Sequence, residues 1–174
     1  HQESAGPLIG PGDVPLDDAM VRSTFFTQVG EREAMKSVLD SDLLGTTARC
    51  RRVDEALAAD VPTYRGFQVG TRLTRAIALY SFGAKPGEDR GVLQQDLVAS
   101  TQMPGLPADV LEVTLGNLAE TLLYIHSSGR RFRFEKRPNL NKLLDDEARK
   151  LEPKEVLERV EHKFVAQLQK ADGC

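Results

Sequence analysis

The stretch that decides the fold lies between Gly91 and Asn141 and reads GVLQQDLVASTQMPGLPADVLEVTLGNLAETLLYIHSSGRRFRFEKRPNLN. Its first part predicts a short helix over residues 92–100 and a proline-rich turn over residues 103–107. Pro107 suits the start of a second helix, with Asp109 in the first turn, where the helix macrodipole favours a carboxylate. Apolar residues then recur at three- and four-residue spacing, which indicates a buried stripe. The inward residues predicted for the two helices are Val92, Leu93 and Leu97, and then Leu111, Leu115, Leu118 and Leu122.

The apolar pattern then changes to a period of two on both sides of the short polar connection Ser127-Ser-Gly-Arg130. The alternating pairs are Leu123 and Ile125 with Tyr124 and His126, and Phe132 and Phe134 with Arg131 and Arg133. This pattern predicts a β-hairpin whose phenylalanines face the core and whose arginines face water or a partner. Helix, helix and hairpin in this order are typical of a winged helix. We therefore predict a mainly α fold, a helical domain containing a winged-helix-like unit with one β-hairpin wing.

The residues before this stretch are predicted to be mostly helical. Glycines and prolines make residues 1–16 an irregular lead-in, after which Asp17 and Asp18 are suitable caps for a helix over residues 19–28. Further helices are expected over residues 31–39 and 46–59, the second with Val53, Ala56 and Leu57 on one face, and residues 64–70 read as a loop. Residues 71–82 predict a core helix with a stripe of Leu73, Ile77 and Tyr80, filled in by Ala76 and Leu79.

Beyond the hairpin, Pro138 is expected to stop the second strand and Asn139 to cap a helix that runs to about residue 151. Pro153 then starts a last helix over residues 154–170, with a narrow apolar stripe. These elements divide the chain into an irregular lead-in (1–16), a helical subdomain (17–68), the winged-helix-like unit (69–138) and C-terminal helices (139–174).

Bulk composition points to an ordinary globular protein. The chain has 174 residues, of which 40% are apolar and 28% charged, and it contains no apolar run long enough to cross a bilayer. The first residues lack both an initiator Met and the pattern of a signal peptide, which suggests a piece excised from a longer protein. Cys50 and Cys174 are too few for a disulfide framework, so we expect a reducing, cytoplasmic compartment. Because no apolar run is long enough to cross a bilayer, we also expect no membrane partner.

One motif resembles a phosphate-binding loop. Gly30-Glu-Arg-Glu-Ala-Met-Lys-Ser37 has the right spacing, but Met35 occupies the place of the second glycine, and the intervening residues favour a helix. An ordinary surface helix is therefore predicted. The three histidines lack partners at metal-ligand spacing, and no nucleophile lies in a catalytic context, so we expect no catalytic, cofactor or metal site in this chain.

The basic hairpin is the local feature that argues for a ligand. Its cations are Arg130, Arg131, Arg133, Lys136 and Arg137. In a DNA-binding winged helix the wing commonly contacts phosphate, for which guanidinium groups are suited. The same arginines could instead protect a sheet edge or dock on an acidic neighbouring domain. The helix that would read bases offers no Lys or Arg, and the side chains expected on its exposed face are Glu112, Thr114, Asn117, Glu120 and Thr121, so base-specific readout is disfavoured.

Three passages together resemble one family of proteins. They are Leu8-Ile-Gly-Pro-Gly-Asp13, the helix Thr71-Arg-Leu-Thr-Arg-Ala-Ile-Ala-Leu-Tyr-Ser-Phe-Gly83, and residues 124–134 with Pro138-Asn-Leu-Asn141. This pattern resembles the segment that follows the nucleotide-binding core in very large bacterial and archaeal P-loop (AAA-like) ATPases. That family is known mainly by a domain of unknown function and is found in loci resembling phage-defence or restriction systems. The resemblance implies ATP and magnesium only for the parent protein, because no position here matches the family's phosphate- or magnesium-binding motifs.

The expected function is a non-catalytic winged-helix-type regulatory or docking module, a fragment of a larger P-loop ATPase. Its partners would be the neighbouring domains of that ATPase, and the oligomeric state is left open. The alternative is a nucleic-acid-binding module that uses the basic wing on DNA. A weaker alternative is a small stand-alone enzyme, which would require a deep polar pocket.

Overall fold

The computed structural model describes residues 9–29, 32–82 and 90–144. The chain divides into two compact units, His1–Asn139 and Leu140–Cys174. Within the second unit, residues 140–144 are helical. The predictions for residues 1–8, for most of the loop after residue 82 and for the last helix lie outside the described residues, and the finer division into subdomains stays a prediction. No helix in the described ranges has the length and apolar character needed to span a membrane.

The first unit is mainly helical and contains one small sheet. Its α-helices are α1 (Ala19–Val29), α2 (Arg32–Leu39), α3 (Arg49–Asp60), α4 (Val69–Phe82), α5 (Gln94–Thr101) and α6 (Ala108–Thr121). In the described ranges, a 3-10 helix (Pro11–Asp13) precedes α1, a π-helical turn (Asp40–Leu44) joins α2 to α3, and a 3-10 helix (Pro62–Phe67) joins α3 to α4. The strands are β1 (Val92–Leu93), β2 (Ile125–Ser128) and β3 (Arg131–Phe134). The order α4, β1, α5, α6, β2, β3 confirms the predicted helical domain with a winged-helix-like unit.

The first described residues are held by side-chain contacts with α1 and α4. Asp18 caps α1 as predicted, because its carboxylate accepts the backbone N–H groups of Met20 and Val21 at 2.8 and 3.0 Å. Asp17 instead pairs with Arg75 of α4 at 2.7 Å, and Asp13 pairs with Arg72 one turn away. These two ion pairs hold the lead-in against α4.

Helix α2 takes the place of the phosphate-binding loop that the spacing resembles. Met35 is 1% exposed and packs into the core with Val38 and Leu39. The apolar side of the helix therefore uses the position that a phosphate loop would need for glycine. The helix predicted here is confirmed, although it is partly a core helix rather than an ordinary surface one.

Helix α4 begins two residues earlier than predicted. The carboxylate of Asp54 accepts the backbone N–H groups of Gly70 and Thr71 at 2.6 and 3.1 Å, together with the Thr71 hydroxyl at 2.6 Å. This cap comes from α3, a helix distant in sequence, so no local signal marks it. The loop predicted over residues 64–70 was wrong, because Pro62–Phe67 is a 3-10 helix that leads into α4.

Two predicted helix faces differ in part from the observed ones. In α3, Cys50, Val53 and Ala58 are buried whereas Ala56 is exposed. In α4, Leu73, Ala76 and Ile77 are fully buried, but Tyr80 is 39% exposed at the edge of the stripe. The helices themselves are confirmed, and the difference lies in which neighbours cover them.

The sheet contains a strand that the sequence did not reveal. Val92 and Leu93 form β1 instead of the first turn of a helix, and they pair antiparallel with Phe132 and Arg131 of β3. The strand order is β1-β3-β2. A strand of two residues is too short to show an alternation of apolar and polar side chains, so only its pairing with β3 identifies it.

The predicted hairpin is confirmed. Its two-residue turn, Gly129 and Arg130, has positive φ values of 54° and 64°, as a type I′ turn requires. The carbonyl of Arg130 accepts the N–H of Gln94 at 2.8 Å and so ties the hairpin tip to the start of α5. Phe132 and Phe134 are buried against the helices, as their alternation predicted.

Candidate functional site

The exposed face of α6 is acidic and partly apolar. Glu112, Asn117 and Glu120 are exposed, and Val113 is 64% exposed beside them. Thr114, predicted on this face, is buried and donates its hydroxyl to the carbonyl of Val110 at 2.7 Å. The helix that occupies the recognition position of a winged helix therefore exposes carboxylates and a valine at the surface.

The five cations predicted as one basic wing are divided by the structure into two places. Arg130 lies at the hairpin tip, beside a small cavity of about 190 Å³ that Glu112 also lines. Arg131 donates to the carbonyl of Gly91 at 3.4 Å. Arg133, Lys136 and Arg137 lie at the other end of the hairpin. The two cavities therefore separate Arg130 from Arg133, Lys136 and Arg137.

The second place is a larger groove. It has a volume of about 730 Å³ and is lined by residues 133–137, by Arg90 and by the last two residues of α1 and of α4. We call it the basal groove. Arg90 joins three of the predicted cations there, although it lies more than 40 positions before them in the sequence.

The groove lies beside the start of β1. Gly91 has a φ of +95°, and β1 begins only after it, at Val92, so the pairing of β1 with β3 does not reach Phe134. The backbone N–H of Phe134 consequently has no strand partner on that side, and it donates instead to the Ser81 hydroxyl at 2.9 Å. Ser81 in turn donates to the carbonyl of Ile77 at 2.6 Å, so its hydroxyl is occupied in holding β3 to α4.

Charges in the groove are only partly balanced. Glu135 accepts a hydrogen bond from the Arg133 guanidinium at 2.6 Å and lies 4.0 Å from His126, whose ring contacts the Arg137 carbonyl at 2.9 Å. The side chains of Arg90 and Arg137 are exposed, and no ion pair joins either of them to another residue in the described part of the chain. The described lining of the groove therefore has a cationic character.

A buried carboxylate connects the helical part to the wing. Asp42, in the π-helical turn, is fully buried and accepts the backbone N–H groups of Leu123 and Tyr124 at 3.2 and 2.7 Å. Arg49 lies 3.8 Å from the same carboxylate. Burial raises the pKa of Asp42, and the two N–H groups and Arg49 oppose that rise. Asp42 therefore fixes the turn through which α6 leads into β2.

The thiol of Cys50 is buried and has a structural role. Cys50 is fully buried, and its thiol lies 3.5 Å from the Thr71 hydroxyl. Burial raises the pKa of Cys50 to about 11, which keeps it a thiol at neutral pH. Within the described ranges, no group of three or more His, Cys, Asp or Glu side chains could hold a metal ion.

Sequence reasoning missed two residues that shape this region. Arg90 follows a charged loop and gives no signal of its own, and Asp42 looks like any helix-flanking acid. The role of Asp42 depends on hydrogen bonds to residues more than 80 positions away, which no local sequence pattern indicates. No family model, curated protein or solved structure matches the chain.

Proposed function

We propose that this chain is a winged-helix-type docking or regulatory module that contacts protein rather than reading DNA bases. The observation that carries the proposal is the exposed face of α6, which presents Glu112, Val113 and Glu120. Base readout in the major groove relies on Arg, Lys, Asn or Gln side chains on this helix; α6 offers Asn117 but no Arg, Lys or Gln, and its carboxylates repel phosphates. An apolar centre with a polar rim suits a protein surface.

We also propose that the parent protein is a large P-loop ATPase, as the resemblance of residues 8–13, 71–83 and 124–141 implies. Met35, which stands in the place of a loop glycine, is buried in the core. The nucleotide chemistry would therefore belong to another part of the parent, and this segment would transmit or regulate it. An upstream phosphate-binding loop, on a strand-to-helix turn of the parent sequence, would support the assignment.

The isolated chain is expected to hydrolyse no ATP, because the near-motif around Lys36 is helical and provides no phosphate cradle. Phosphate release from the chain and from Lys36→Ala should be equal to that of buffer. ATP turnover that Lys36→Ala abolishes would show that the chemistry lies in this chain and would overturn the docking assignment.

A nucleic-acid-binding module is the second candidate, favoured by the exposed arginine at the hairpin tip. Arg130 is held in the left-handed region by its turn and projects where a wing meets phosphate in DNA complexes. A winged helix can bind through its wing without base readout, in which case affinity falls steeply with salt.

For the docking function, we expect no duplex binding that depends on the wing. Anisotropy of a labelled duplex, titrated at about 50 and about 200 mM salt, should be the same for the native chain and for Arg130→Ala/Arg131→Ala/Arg133→Ala. Binding that falls at the higher salt concentration and is lost in the triple variant would establish the second candidate instead.

A further inference from the structure

We propose that the basal groove is a binding site for an extended acidic peptide segment of a partner protein. The inference rests on the proposed docking function and names the chemistry of one partner. It starts from a charge imbalance. Among the described residues, the groove lining contains four cations, namely Arg90, Arg133, Lys136 and Arg137, and one carboxylate, that of Glu135.

The helix ends in the groove do not cancel this charge. Gln28 and Val29 end α1, and Ser81 and Phe82 end α4, so two helix C-termini line the cavity. Each C-terminus is equivalent to about half a negative charge. Arg133 is paired with Glu135. Arg90 and Arg137, which are exposed and join no ion pair in the described ranges, carry two positive charges against about one negative charge from the two helix ends, so the described lining keeps a positive charge. A ligand with several carboxylates complements that charge, and guanidinium groups bind carboxylates through paired hydrogen bonds.

The shape and lining favour a peptide over nucleic acid. Single-stranded nucleic acid binds such channels by stacking its bases on exposed aromatic faces. Phe134 is only 4% exposed, and Phe82 packs against it and against Phe25, at centroid distances of 6.0 and 6.2 Å. These rings can offer apolar contact at their edges but no stacking platform. A concave site of about 730 Å³ also accepts a short extended chain more readily than a duplex.

Recognition would occur through ligand side chains and not through an added strand. The open edge of β3 at Phe134 is already closed, because Ser81 accepts its N–H. Strand addition at this point would require that hydrogen bond to break. Acidic side chains can instead reach Arg90 and Arg137 at the rim, while small apolar side chains contact Val29 and Phe82, which are half-buried.

The test uses the full chain and a fluorescein-labelled peptide of repeated Asp-Glu-Leu units, with an Asn-Gln-Leu peptide as the neutral probe. The acidic peptide should bind, and Arg90→Glu/Arg137→Glu should weaken it by about tenfold or more, because two exposed attractions become repulsions. Arg52→Glu, a charge reversal at an exposed position of α3, is the matched control and should leave the affinity unchanged. Circular dichroism melts verify that each variant is folded.

Three results would overturn the inference. They are no binding of the acidic peptide, equal binding of the neutral peptide, and an equal loss in Arg52→Glu. Displacement of the peptide by single-stranded DNA of the same charge at lower concentration would also overturn it, by showing that the groove prefers phosphate. The docking function is judged separately by the duplex titration on the native chain and the hairpin triple variant, so either proposal can fail while the other stands.

Discussion

Asp42→Ala is expected to lower the free energy of unfolding by about 3 kcal/mol, because it leaves buried backbone N–H groups without an acceptor. The carboxylate that the substitution removes accepts from Leu123 and Tyr124 and lies beside Arg49. Its own burial costs desolvation, which the substitution relieves, so the loss is smaller than a sum of hydrogen bonds would give. Urea unfolding followed by far-UV circular dichroism measures the change.

Asp60→Ala is the matched control, since Asp60 is an exposed aspartate at the end of α3. It should alter the free energy of unfolding by less than about 0.5 kcal/mol. A loss of under about 1 kcal/mol in Asp42→Ala would mean that the two N–H groups find other acceptors, and Asp42 would then not be what fixes the α6-to-β2 turn.

The same residue predicts a pH dependence. Because burial raises the pKa of Asp42 above its ordinary value of 3.8, the folded chain binds a proton more readily than the unfolded chain. The contribution of Asp42 to the free energy of unfolding therefore falls as the pH rises above about 4. The same contribution increases as the pH is lowered towards about 4. Relative to Asp42→Asn, which cannot titrate, the native chain should gain stability between pH 7 and about pH 4.5.

Gly91→Ala is expected to destabilise the chain by about 3 kcal/mol, for steric reasons. At a φ of +95° a side chain is strained, and a Cβ would lie 2.4 Å from the Phe132 carbonyl oxygen and 2.7 Å from the Arg133 Cβ. The backbone of β3 cannot move aside without breaking its pairing with β1. The substitution should also weaken acidic-peptide binding, because Gly91 positions the adjacent Arg90, which lines the basal groove.

Gly116→Ala provides a control of opposite sign. Gly116 lies on the exposed face of α6, and a Cβ there would meet no atom within 4 Å. Replacing a glycine inside a helix by alanine should stabilise the chain by about 1 kcal/mol. Equal effects of the two substitutions in urea unfolding would show that the turn at Gly91 is not a steric requirement.

Elements with strong local periodicity were predicted well. Helices α4 and α6 and the β2–β3 hairpin each carry an apolar repeat of the right period, and their burial follows it closely. The face of α3 was misjudged because Cys50 and Ala58 are weak apolar signals next to Leu57. Strand β1 was missed because two residues carry no period.

The candidate site was predicted only in part. The basic residues of the hairpin are visible in the sequence, but their grouping is not. Arg130 points to the tip, whereas Arg133 and Arg137 meet Arg90 across the basal groove. Adjacent residues in a strand separate when the strand ends and the chain turns, so sequence neighbours need not share a surface.

Local sequence patterns specify the helical elements, the hairpin and the winged-helix-like order, because each depends on contacts between residues a few positions apart. Tertiary packing is needed to establish the cap that Asp54 places on α4, the anchoring of the wing by Asp42, and the proximity of Arg90 to the end of β3. These contacts join residues 16 to more than 80 positions apart. Their partners are selected by the packing of the whole unit, which no local pattern encodes.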